Sequence, residues 1–199
     1  MIPRSHVLGL KNPSHQQQPM MCIPACVKTV IDNQFNFKIS LRKIIEATGD
    51  RLEKYNAYVP KGLDDMQSSL KKLLDSYVID VAEEVNVSKN KLLERILSGC
   101  YPIVFLNSEE YYRYKGVKVK GDPQVIESHA VVAIGYDEDK EEFYIWDPGD
   151  NADKKSYGYK DMRKIDYKTF LFAWGKSKSR MICLTQSSKQ TKIAPYLDK

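Results

Sequence analysis

Long apolar runs are missing from this 199-residue sequence. No stretch approaches the roughly 18 apolar residues that a membrane-spanning helix needs. The N-terminal residues MIPRSHVLGLKNP also lack the apolar segment and small-residue cleavage site of a secretory signal. No membrane span is expected, and the chain is expected to be cytoplasmic. Cysteine is sparse, at four residues, too thin a set for a disulfide framework in a chain of this size. Cys22 and Cys26 match zinc-ligand spacing only loosely, and Cys100 and Cys183 stand alone in apolar contexts without a histidine pair nearby. Reduced thiols and no metal are the expectation. There is no internal repeat and no long block of like charge. The 31 basic residues exceed the 26 acidic ones only mildly, and the excess is spread out, so nucleic acid is not the expected partner. Histidine is scarcest of all: only His6, His15 and His129 are present, which narrows any scheme that needs an imidazole.

What is present suits one core. With 42% hydrophobic and 29% charged content, the length fills one core well and falls short of two. The expected organisation is a single domain over residues 1–186 with a polar tail over 187–199. The spacing of Ile23, Val27, Val30 and Ile31 predicts a helix over 23–33 with Cys22 at its N-terminus and Pro24 in the first turn. A second helix starts after Ser40 and stops at Gly49. A third runs from about Gly62 to Leu74, so three helices are expected to fill the N-terminal half. Then come a strand over 78–85, a Ser88-capped helix carrying Leu92, Leu93 and Ile96 inward, and a buried strand over 101–107. Residues 108–127 hold Tyr111, Tyr112 and Tyr114 among charges and read as a mobile loop or irregular hairpin, which covers a cleft or is simply solvated. Strands over 129–136 and 142–147 follow, then a Pro148-Gly149 break, a charged loop, a short helix near 167–174 and a last strand over 180–186.

A thiolate rather than a thiol attacks a carbonyl carbon, and a helix N-terminus lowers a thiol's pKa through unpaired N–H groups and the helix dipole. Cys22 has that position. An imidazole must then form the ion pair and protonate the leaving group. A hairpin centred on Glu138, with Asp137 to Asp139 as its loop, sets His129 opposite Asp147 on one face of the sheet. An acid there fixes the tautomer of the ring and supports its charge. The oxyanion requires two donors. The Cys22 backbone N–H can be one, and Gln16, Gln17 and Gln18 compete to be the other. Each residue also has a plainer reading: Cys22 as a buried thiol, His129 as a structural strand-end histidine, Asp147 as a turn former before Pro-Gly, and Cys26 as core.

Gln16, five intervening residues and Cys22-Ile23-Pro24-Ala25-Cys26 resemble the glutamine-to-cysteine lead-in of papain-like cysteine peptidases. HAVVAIGYD followed by FYIWDPG is similar to the histidine and Asp-Pro motifs of the bacteriocin-processing branch, which cuts leader peptides after a double glycine. The resemblance runs from about Ser14 to Gln186. It implies an α+β papain-like fold, an N-terminal helical half packed on a C-terminal antiparallel sheet, with the site in the groove between them. It also implies a cysteine peptidase acting on a peptide or protein without a cofactor: Cys22 as nucleophile, His129 as acid-base partner, Asp147 as orienting acid and Gln16 as oxyanion donor. The chain departs from the pattern at Ile23, where the branch usually has glycine, and at Met21, where it often has Asp or Asn. It also lacks the transporter domains that accompany many members, so delivery of substrate by fusion is not expected. A peptide-binding module without activity, and an effector or toxin using the same residues for acyl transfer or deamidation, are the competing readings.

Overall fold

The first strand, β1 (Ser5–Val7), precedes the helix that carries Cys22, α1 (Cys22–Gln34). The computed structural model describes residues 2–11, 13–14, 21–35, 37–52, 57–60, 63–116, 128–149 and 162–188. In α1, Cys26, Val27, Val30 and Ile31 are fully enclosed, which is the inward stripe that their spacing predicts. α2 (Leu41–Thr48) begins where the Ser40 hydroxyl accepts a bond from the Lys43 N–H, a standard N-cap. A two-stranded ribbon follows, β2 (Gly49–Leu52) paired antiparallel with β3 (Ala57–Pro60). This ribbon corrects the expectation of helices alone in the N-terminal half. Its strands are four residues each, too short for a readable alternation. α3 (Leu63–Asp75) then buries Met66, Leu70 and Leu74.

The remainder of the chain builds a sheet: β4 (Ile79–Glu84), α4 (Lys89–Leu97), β5 (Ile103–Asn107), α5 (Ser108–Tyr114), β6 (Ser128–Asp137), β7 (Glu142–Trp146), β8 (Arg163–Asp166), α6 (Tyr167–Lys176) and β9 (Met181–Gln186). Among the described residues one seven-stranded sheet runs in the order β4-β9-β5-β6-β7-β8, with β1 joined to β6. Every pairing in it is antiparallel.

β6 is buried along nearly its whole length, and the two faces explain why its sequence is apolar rather than alternating. Ala130, Val132 and Ile134 meet α1, whereas Val131 and Ala133 share a cluster with residues of α4, α5 and α6. Each valine so enclosed contributes about 2 kcal/mol relative to exposure. The sheet is therefore covered on both faces: the N-terminal helices lie on one and the later helices on the other.

Three expectations about the second half are corrected. Residues 108–114 form α5 rather than a loop; the Asn107 side chain accepts from the Glu110 N–H, and Glu109 and Glu110 occupy the first turn, where acids are favoured. Residues 117–127 lie outside the described residues. The β6–β7 hairpin pairs Asp137 with Glu142, so its loop is Glu138 to Glu141 and not Asp137 to Asp139. The Asp137 carboxylate accepts from the N–H groups of Asp139 and Lys140, each at 3.1 Å, and Glu141 takes φ 52, which together fix the longer turn. The register then shifts again between Ala133 and Gly135. Part of the stretch expected as a charged loop forms β8, while residues 150–161 lie outside the described residues. At the C-terminus Ser187 is buried and its N–H donates to the Val78 carbonyl at 2.9 Å; residues 189–199 lie outside the described residues. Among the described residues no helix is long and apolar enough to cross a membrane.

Candidate active site

Cys22 is the first residue of α1, and the preceding Met21 supplies no side-chain cap. The first-turn N–H groups are thus open to another acceptor. The sulfur takes the backbone N–H of Ile23 and, from β6, that of Ala130. Burial alone would push this thiol up; the hydrogen bond and charge of His129 and the two N–H groups outweigh it, and the pKa falls below its ordinary value. Cys26, one turn on, goes the other way. It is fully enclosed and donates its S–H to the Ala130 carbonyl at 3.4 Å; burial, then the nearby charges of Cys22 and Asp147, hold it protonated.

His129, the second residue of β6, is 3% exposed. Its Nε2 lies 2.7 Å from Asp147 Oδ1. The ring also hydrogen-bonds with Cys22, and an imidazole with Nε2 engaged has only Nδ1 left for that bond. Burial would lower the pKa of this histidine, but the bonds to Asp147 and Cys22, reinforced by their charges, lift it to about 9. Two aromatic rings flank it: Tyr111 stacks at 5.7 Å and 15°, and Tyr112 lies tilted at 5.7 Å.

Asp147 directly follows β7, and its side chain is fully enclosed. The strand pairing that brings it here is not the one expected. The ladder ends at Val132 opposite Trp146, so one further step sets Asp147 level with Val131, two residues from His129. The two side chains meet because a diagonal neighbour on the same face is still within reach. Four donors serve the carboxylate: His129 and the Gly149 N–H, at 2.7 and 2.8 Å, on Oδ1, and the Tyr111 hydroxyl and Lys115 ammonium, both at 2.8 Å, on Oδ2. Burial would raise its pKa, but the bond to His129, then the charges of His129 and Lys115, hold it far below the usual carboxylate range. The arrangement can keep a thiolate and an imidazolium side by side in a water-poor setting.

Of the residues singled out from sequence, Cys22, His129 and Asp147 come together. Gln16, with its competitors Gln17 and Gln18 and the neighbouring His15, lies outside the described residues. Sequence reasoning missed Lys115 altogether and left the tyrosines undecided. A signal existed: Asn107 as N-cap, two acids in the first turn and Arg113 in the last mark a short helix, and four-residue spacing sets Tyr111 and Lys115 on one face of it.

The model of the Peptidase_C39 like family matches residues 10–181. The chain belongs to that family. Among solved structures, a candidate C39-like peptidase from Bacillus anthracis matches with TM-score 0.62 at 18% identity, over 92% of this chain and 98% of the other. A double glycine motif protease from an AMS/PCAT transporter, solved in complex with the leader peptide, matches with TM-score 0.51 at 13% identity, over 89% and 91%. Comparison with curated proteins gives no match. The C39-like family membership and these structural likenesses agree with the helix-then-sheet, papain-like α+β architecture. Among the described residues no cluster of His, Cys, Asp or Glu is placed to hold a metal ion.

Proposed function

We propose that this C39-like protein is a cysteine peptidase that cleaves a peptide or protein substrate with Cys22, His129 and Asp147. The observation that carries the reading is the buried, continuous hydrogen-bonded chain from the Cys22 thiol through the His129 ring to the Asp147 carboxylate. The Cys22 thiolate attacks the scissile carbonyl carbon, forming a carbon–sulfur bond and a tetrahedral oxyanion. The Cys22 N–H and the Gln16 side-chain amide, the latter by resemblance alone, are the donors proposed for that oxyanion. Collapse expels the amine, which takes its proton from the His129 imidazolium. The neutral ring then draws a proton from water as its oxygen attacks the thioester, releasing the acid and returning the Cys22 thiolate beside a His129 imidazolium. Asp147 keeps the ring oriented throughout.

A leader peptide ending in a double glycine is the substrate class that the family likeness supports. The test incubates the purified protein with synthetic leader peptides carrying and lacking that Gly-Gly and follows cleavage by mass spectrometry. Cleavage that is lost in both Cys22→Ala and His129→Ala supports the proposal. Peptide binding without cleavage, together with equal and slow alkylation of all four cysteines, overturns it in favour of a binding module.

A further inference from the structure

The α5 helix and its C-cap residue supply two of the four donors to Asp147, Tyr111 and Lys115, and neither belongs to the Cys–His–Asp scheme. We infer that Lys115 and Tyr111 are positioning residues that act through Asp147, and that the charge of Lys115 sets the pH range over which the Cys22–His129 pair stays ionised. This rests on the peptidase reading.

The geometry is built rather than incidental. The Asn107 cap fixes where α5 starts, and helical spacing then stacks Lys115 one turn beyond Tyr111. Tyr111 is fully buried, lies face to face with the imidazole and bonds Oδ2 with its hydroxyl at 2.8 Å. The Lys115 ammonium reaches the same oxygen at 2.8 Å with only 11% of its side chain exposed, and it sits 5.3 and 5.7 Å from the ring centres of Tyr111 and Tyr112. Both donors hold Oδ2, which leaves Oδ1 turned to the ring of His129. A carboxylate held on one side in this way has little freedom to rotate off the imidazole.

Charge follows from the same contacts. Asp147 serves two cations, and each weakens its attraction for the other at short range in a poorly solvated site. Among the described residues, the titratable groups set against His129 or its partners Cys22 and Asp147 are Cys26 from α1 and Tyr111, Tyr112 and Lys115 at α5 and its C-terminus. Lys115 is the cation in that set besides the ring itself. Its presence eases proton loss from Cys22 and from the imidazolium alike, so removing it moves both titrations upward.

The experiment uses the full chain. Iodoacetamide alkylation of Cys22, followed across pH by peptide mass spectrometry, gives the midpoint of thiolate formation; the NMR titration of the His129 ring gives the second midpoint. Lys115→Gln is expected to raise both by half a unit or more, and Lys115→Arg to return both to the wild-type positions. Tyr111→Phe, which removes a neutral donor from Oδ2, is expected to raise the His129 midpoint by less. Unmoved midpoints in Lys115→Gln, even with slower alkylation, overturn the inference, as does an Arg variant that behaves like Gln. If Lys115→Gln does not fold, the decision passes to the other two: an unmoved His129 midpoint in Tyr111→Phe or a displaced one in Lys115→Arg overturns it. His129→Ala separates the two proposals. A wild-type alkylation profile in His129→Ala removes the triad reading itself, whereas a lost one beside unmoved Lys115→Gln midpoints removes only this inference.

Discussion

Cys22 and Cys26 are the same residue type one turn apart on one helix, yet their thiols titrate in opposite directions. The difference lies in partners: Cys22 faces an imidazole and two N–H groups, whereas Cys26 faces a carbonyl oxygen that only accepts. The same logic governs Asp147→Asn. The amide removes the charge that helps lift His129 to about 9, so the ring's NMR midpoint is expected to fall by a unit or more, with cleavage slowed on the order of 10²–10⁴-fold. It also strands the Lys115 ammonium beside a neutral amide, at a cost of about 3 kcal/mol in denaturant unfolding. Asp147→Asn with Lys115→Gln is then expected to regain most of that stability and none of the activity. A double variant no more stable than the single one would place the loss elsewhere. That Cys22, His129 and Asp147 would come together was legible in the sequence because so few histidines exist and because a thiol at a helix start, with an acid near a strand-borne imidazole, is a chemically restrictive pattern. Lys115 was harder to read: the cap and the charges mark a short helix, but nothing in the sequence says what the face carrying Tyr111 and Lys115 meets, and a lysine beyond three tyrosines carries no period of its own.

At the scale of elements, apolar periodicity recovered α1, α4, α6 and the long strands, each of which buries a face large enough to impress a pattern on the sequence. It missed β1, β2, β3 and β8, which span three or four residues and owe their place to pairing with a neighbour rather than to a pattern of their own. The hairpin register failed for a different reason: the Asp137 side chain stabilises a four-residue turn that loop-length preference alone does not single out. The consequence for the site was small because diagonal and direct neighbours on one face both reach. Gly135 shows how firmly β1 is nonetheless seated. A Cβ there would lie 2.7 Å from the His6 carbonyl oxygen and 2.9 Å from Val7 Cα, both backbone atoms with little room to yield. Gly135→Ala is expected to cost about 1–3 kcal/mol of stability, as overpacking does, and to speed hydrogen exchange at Leu8, whose N–H bonds the Ile134 carbonyl at 2.7 Å. An unchanged unfolding midpoint with unchanged exchange would mean that β1 contributes nothing to the sheet's stability.

For the whole molecule the ion pair has a signature in the pH dependence of stability. The His129 pKa is raised from its ordinary value of 6.5 to about 9, so taken alone it adds stability that is complete below 6.5 and disappears as pH rises through 9. The Cys22 pKa is lowered from 9.0, so taken alone it adds stability that grows above its folded value and is complete above 9.0. Across pH 7–8.5 the two trends oppose. In the proposed ion pair the folded protein holds its one proton on the ring, the unfolded chain holds one on the sulfur, and no net proton is exchanged on unfolding. Their joint contribution is therefore flat in this window. Cys22→Ala removes one half of the balance. His129 keeps Asp147 as a partner and retains a raised pKa, while its counterpart is gone, so stability is expected to fall with rising pH by up to about 1.4 kcal/mol per unit relative to wild type. Urea unfolding of both proteins at pH 7.0, 7.5, 8.0 and 8.5 measures the difference directly, because every other titrating group is common to the two and cancels. Parallel profiles would mean that Cys22 is an uncharged thiol in the folded protein, and the proton transfer from sulfur to imidazole on which the proposed chemistry depends would not take place.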